Sequence, residues 1–113
     1  MLKVTFVEKD KTITLKVDGH AGQAEKGHDI VCSACSILAY TVANLIKTAG
    51  ATKDLKAPPV IKLEDGDALI SCEPWEHAYP TILSIFMVVE VGYKLLAHNY
   101  PQYVELIQFG TDE

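Results

Sequence analysis

Positive charge is scarce in this sequence. Lys plus Arg total 10 against 15 Asp plus Glu, a formal net charge of −5. That balance excludes a general nucleic-acid binder, which would carry a basic face, so no direct nucleic-acid contact is expected. An acidic surface suits solubility or a basic protein partner. The chain also lacks a disulfide framework. Its 3 cysteines are an odd number, and Cys32 and Cys35 lie three apart. Reduced thiols in a cytoplasmic protein are the expectation. The first residues, Met1 to Phe6, show no basic segment, apolar run or small-residue cleavage site of a secretory signal. The longest apolar stretch, residues 81–97, contains Glu90 and Lys94 and is short for a bilayer span, so no membrane association is expected. Internal repeats and low-complexity tracts are missing too. What remains is one domain over residues 1–113, with 49% hydrophobic residues to build a core. Chains this short are often supported by dimerisation.

Leu2, Val4 and Phe6 alternate with Lys3 and Thr5, the two-residue period of a strand. Polar residues 8–11 make a turn. Ile13, Leu15 and Val17 then alternate with Thr12, Thr14, Lys16 and Asp18, which predicts a second strand and a hairpin. Residues 19–28 hold Gly19, Gly22 and Gly27 without apolar periodicity, the pattern of a mobile loop. Asp29 is a good helix N-cap. Residues 30–49 carry a helical pattern, with Ala34, Ile37, Leu38, Thr41, Leu45 and Ile46 expected to face inward and Gly50 to end the helix. Pro58 and Pro59 forbid helix in the connection that follows. Residues 60–63 and 68–72 flank Asp65-Gly66, a hairpin signal. A second helix is expected over residues 77–98. One of its stripes holds Ile82, Phe86, Val89, Tyr93 and Leu96, and another holds Ile85, Val88 and Leu95. A helix apolar nearly all round must be covered on both sides, by the sheet and by the first helix or a second subunit, so a homodimer is expected. Residues 103–109 form a last strand. The order strand-strand-helix-strand-strand-helix-strand predicts an α+β fold, two helices packed on a mixed β-sheet.

The chemistry concentrates around Cys32. With Asp29 as N-cap, Cys32 is the third helical residue, among backbone N–H groups that have no intrahelical partner. The helix dipole favours a thiolate there and can lower a thiol pKa by about a unit or more from ~8.5. His20 ends the second strand, and its loop returns the chain to the helix start, so His20 and Cys32 can meet. A thiolate that attacks a carbonyl carbon, with a histidine that donates a proton to the leaving amine, is peptidase chemistry. Backbone N–H groups at the helix start can hold the oxyanion. Ser36, one turn after Cys32, can hydrogen-bond in the site. The Asp29 carboxylate caps the helix, but its charge would also raise the thiol pKa.

The same residues admit other readings. Cys32-Ser33-Ala34-Cys35 is a C-x-x-C at a helix start, the motif of thiol-disulfide exchange. A hairpin in place of a parallel strand-helix-strand unit, no Trp before the motif and no Pro within it speak against that fold. His20, His28, Cys32 and Cys35 make four soft ligands within sixteen residues, a possible zinc set, although two knuckle-like pairs are not formed. A buried, unreactive Cys32 in a binding module is the non-enzymatic reading. Cys72, His77, His98 and Trp75 read as structural.

The stretch Gly19-His20-Ala21-Gly22, followed by Gly27-His28-Asp29-Ile30-Val31-Cys32-Ser33-Ala34-Cys35-Ser36, resembles the ribosomal-processing cysteine protease (Prp) family. The likeness covers essentially the whole chain in length and order of elements. It implies that His20 and Cys32 match the catalytic dyad and that Gly19, Asp29 and Ser36 match supporting positions. No cofactor or metal is implied. Members of the family remove a short N-terminal extension from large-subunit ribosomal protein number twenty-seven, cutting after an aromatic residue. They are homodimers with a mobile loop over the active site, here containing Gly22 and Gly27. The precursor ribosomal protein is therefore the implied partner. Cys35 departs from the small apolar residue that many members carry.

Overall fold

The structure is a computed structural model. It describes residues 1–19, 28–64 and 66–108, the side chains of His28 and Asp29 excepted. The elements run β1 (Leu2–Lys9), β2 (Thr12–Asp18), α1 (His28–Ala51), β3 (Val60–Glu64), β4 (Asp67–Cys72), α2 (Tyr79–Asn99) and β5 (Val104–Gln108). This is the expected α+β order. The five strands form one mixed sheet in the order β3-β4-β2-β1-β5. All neighbours are antiparallel except β1 and β5, which run parallel. A parallel pair needs a long crossover, and here the chain between β1 and β5 includes both helices.

The β1–β2 hairpin is tighter than the polar run predicted. Asp10 and Lys11 both have positive φ, 52° and 68°. Two left-handed residues in a two-residue connection match the right-handed twist of the strands, so β1 continues to Lys9. The strand alternation holds: Leu2, Val4 and Phe6 of β1, Ile13, Leu15 and Val17 of β2, and Ile70 and Cys72 of β4 are buried on one face. Lys3 and Lys16 lie on the other. Both helices contribute to the same core.

The inward face of α1 corrects the expectation. Val31, Cys35, Ala39, Val42, Ala43, Ile46 and Ala49 are buried, whereas Ile37, Thr41 and Leu45 are exposed and Ala34 and Leu38 half-buried. Ile46 faces inward as expected, and Leu38 packs half-buried against the core. The physical reason is proximity: small side chains on the inner face let the helix lie close to the sheet and to α2. Leu38 covers Gly92 of α2, where an added Cβ would meet the leucine methyls at 2.8 and 3.0 Å. The end of α1 differs too. Gly50 lies inside the helix, and Lys53, at φ 64°, takes the left-handed position. The N–H groups of Lys53 and Asp54 return to the carbonyls of Gly50 and Ala49, which closes the last turn.

The helix α2 begins two residues later than expected, with Pro80 in its first turn, where a missing N–H costs nothing. His77 instead precedes the helix, its Nε2 3.3 Å from Asp54 Oδ1. Ile82, Phe86, Val89 and Tyr93 are buried as the stripe predicts. Of the second stripe, Ile85 packs half-buried against the core, whereas Val88 is 71% and Leu95 58% exposed. By length and composition both helices could cross a membrane, yet each lays a buried face on the sheet.

Tyr93 joins the two helices. It is fully buried, its ring meets Phe6 edge-on at 6.0 Å, and its hydroxyl donates to the Cys35 carbonyl at 2.8 Å. Tyr93→Phe removes the donor while that carbonyl keeps its place in the helix ladder. The expected loss is about 1 kcal/mol, read by urea unfolding at constant m-value.

Candidate active site

The site sits where β2 hands the chain to α1. Gly19 closes that end of the sheet. Its φ of 106° is a conformation that side chains rarely adopt, and its N–H donates to the Gly66 carbonyl at 3.1 Å. A Cβ on Gly19 would run into the backbone carbonyl of Met1. Only a residue without a side chain lets β2 leave the sheet here.

His20, Gly22 and Gly27 lie outside the described residues, as does the expected mobile loop between Gly19 and α1. The helix begins at His28, not Ile30. Asp29 is therefore within the first turn and not at the N-cap, and Cys32 stands one turn into the helix and not at its third position. This corrects the expected route of activation. Helical side chains lean toward the N-terminus, so Cys32 is directed back over the turn at residues 28 and 29, whose N–H groups are among those without intrahelical partners. An acidic residue in that turn suits the dipole.

Val31 is fully buried and Cys35 nearly so; both fasten the start of α1 to the core. Between them Cys32 remains half-buried, with access to solvent. Ser36, one turn on, is exposed. The three thiols differ sharply. Burial pushes the Cys35 thiol up to about 12, and the neighbouring Cys32 adds to the shift. Burial alone takes Cys72 to about 12. Both stay protonated at neutral pH and are poor nucleophiles. The resolving partner that a C-x-x-C exchange reaction requires is thus held neutral inside the protein. Of the proposed zinc ligands, His20 and the side chain of His28 lie outside the described set, and no three His, Cys, Asp or Glu residues among those described are grouped to hold a metal.

Two measurable consequences follow from these buried thiols. Their acid forms are favoured by folding, so the folded chain holds more protons than the unfolded chain once pH passes the ordinary thiol range. Their contribution to stability is complete below pH ~9 and falls as pH rises toward ~12. Denaturant midpoints should decline across that window, and Cys35→Ala with Cys72→Ala should flatten the decline. At neutral pH, iodoacetamide should modify Cys32 in the native protein and reach Cys35 and Cys72 only on unfolding, as peptide mapping would report.

The sequence profile of the family described as Cysteine protease Prp matches residues 1–105. The Ribosomal processing cysteine protease Prp of Mycoplasma pneumoniae is 31% identical over 101 residues, covering 88% of this chain and 90% of that protein. Among solved structures, an essential ribosomal processing protease Prp from S. aureus, in complex with a substrate peptide, superposes with a TM-score of 0.70 at 22% identity, covering 96% of this chain and 100% of that one. A Streptococcus mutans protein superposes with a TM-score of 0.70 at 23% identity over 100% of this chain and 96% of its own. With the mixed five-stranded sheet, the paired helices and a solvent-reaching cysteine at the start of the first of them, this chain belongs to the Prp family of cysteine proteases.

Proposed function

We propose that this peptidase removes the N-terminal extension from the precursor of large-subunit ribosomal protein number twenty-seven, with Cys32 as nucleophile and His20 as general base and then acid. The observation that carries the reading is the accessibility of one thiol among three. Cys32 reaches solvent at the start of α1, while Cys35 and Cys72 are buried and held protonated. The ribosomal processing role of the relatives supports the substrate class.

In this mechanism His20 takes the Cys32 proton, and the thiolate attacks the carbonyl carbon of the scissile bond. N–H groups in the first turn of α1 donate hydrogen bonds to the oxyanion. The intermediate collapses with His20 protonating the amine of the departing ribosomal protein, which leaves the extension as a thioester on Cys32. Water, deprotonated by His20, then releases it. Asp29 supports the helix start, and Ser36, one turn after Cys32, can hydrogen-bond in the site.

The protein works as a cytoplasmic homodimer in this reading. Ile37, Tyr40 and Leu45 of α1 and Val88, Val91 and Leu95 of α2 form an exposed apolar surface on the helical layer, which a second copy would cover. Incubation with the precursor from the same host tests the function. The wild type should yield the shortened protein, whereas Cys32→Ala and His20→Ala should not. Intact precursor after incubation with wild type, or equal cleavage by Cys32→Ala, would refute it.

A further inference from the structure

At the end of the sheet away from Gly19, a groove of about 350 Å³ opens between β1 and α2. Its walls are apolar: Phe6 and Ile13 from the sheet, and Leu83, Phe86 and Met87 from the helix. Two carboxylates interrupt them. Glu8 occupies an inward-facing position of β1, two residues beyond Phe6 and opposite the buried Ile13, where strand alternation calls for an apolar residue. Glu90 lies on the same side of α2 as Leu83, Phe86 and Met87, at the three- and four-residue spacing of one helix face. Both are half-buried, and neither forms a hydrogen bond or ion pair with any described residue. Lys94, one turn beyond Glu90, is exposed and does not pair with it.

Two elements far apart in sequence thus each break the apolar pattern with an acidic residue, and both residues line one groove. Partly desolvated, unpaired like charges are costly in an empty groove and favourable beside a cation. We propose that this groove docks a basic segment of the protein substrate, with an aromatic or aliphatic side chain on the apolar floor and a Lys or Arg between Glu8 and Glu90. The partner's identity rests on the peptidase reading above; the ligand chemistry does not. Glu8 lies six residue steps along β1 from Leu2, at the catalytic end, a span of about 20 Å. The groove therefore recognises a part of the substrate remote from the scissile bond, and remote contacts raise selectivity for the whole protein over short peptides.

The test separates docking from catalysis. Binding of the peptide Lys-Phe-Lys-Leu-Lys-Phe is measured calorimetrically on Cys32→Ala protein, alone and with Glu8→Gln/Glu90→Gln. A Glu64→Gln/Glu105→Gln pair makes the same change in net charge away from the groove. The proposal predicts at least tenfold weaker binding for Glu8→Gln/Glu90→Gln and less than twofold change for the control pair. Equal weakening by both pairs means attraction by net charge alone and overturns it, as does no binding at all. Occupation by a second copy would also overturn it: Glu8→Gln/Glu90→Gln would then shift the monomer–dimer equilibrium in sedimentation. In active protein, the Glu8→Gln/Glu90→Gln pair should raise KM about tenfold for the full precursor and leave a short peptide spanning the cut unchanged. A wild type that cleaves neither substrate refutes the peptidase reading while the peptide-binding result still stands or falls by itself.

Discussion

Cys32→Ala should reduce precursor cleavage by about ten-thousandfold or more without unfolding the protein. Access to the sulfur and the lack of a replacement set the size of the effect. Cys32 is half-buried, so loss of its sulfur removes little packing, and the midpoint of unfolding should move by less than about 1 kcal/mol. Val31 and Cys35, which fasten the same turn, are unchanged and remain buried. No neighbouring thiol can substitute. Cys35 lies inside the core with its thiol raised to about 12, and Cys72 ends β4 in the same state. Circular dichroism and urea unfolding check the fold, and a discontinuous cleavage assay checks the rate. Cys35→Ala should leave the rate within a few-fold of wild type, which separates the peptidase from an exchange reaction that needs both sulfurs.

The second large effect belongs to Gly19. Gly19→Ala should destabilise the protein by about 3 kcal/mol or more and lower Tm by more than about 10 °C. The strain has two sources that add. The residue's φ of 106° is one that side chains rarely adopt. The added carbon would also meet the carbonyl of Met1, which is main chain and cannot swing aside. Relief requires β1 to move against β2, or the Gly19–Gly66 hydrogen bond to break. Both changes occur where β2 leads toward α1. Activity should therefore fall even at temperatures where the variant remains folded. Scanning calorimetry and the cleavage rate at 15 °C measure the two effects separately.

The elements were legible because strand alternation and turn chemistry are local. Leu2-Val4-Phe6 and Ile13-Leu15-Val17 declare their faces, and the buried stripe of α2 reads directly from Ile82, Phe86, Val89 and Tyr93. The inner face of α1 was not legible. Its large residues, Ile37 and Leu45, lie outside, and its small ones, Ala39, Ala43 and Ala49, lie inside. Residue hydrophobicity ranks these the wrong way round, because close packing of the helix on the sheet selects for size. The start of α1 was misplaced for a related reason. Asp29 is as suitable in a first turn as at a cap, since both places put a carboxylate near unpartnered N–H groups. Lys53 in the left-handed position contradicts the ordinary preference for glycine, and Gly50 has another use: a Cβ there would press on Pro59 at 3.1 Å. At the candidate site, the position of Cys32 near a helix start was legible from the sequence. The neutral state of Cys35 was not, because it depends on burial that no spacing reveals.

The central claim is that the sulfur of Cys32 carries the bond-making step. Rapid-quench mass spectrometry of the protein mixed with its precursor substrate tests that most directly. A transient adduct with the mass of the N-terminal extension, mapped as a thioester to Cys32, should form and decay with the cleavage. Cleavage without such an adduct, or an adduct on any other residue, would contradict it.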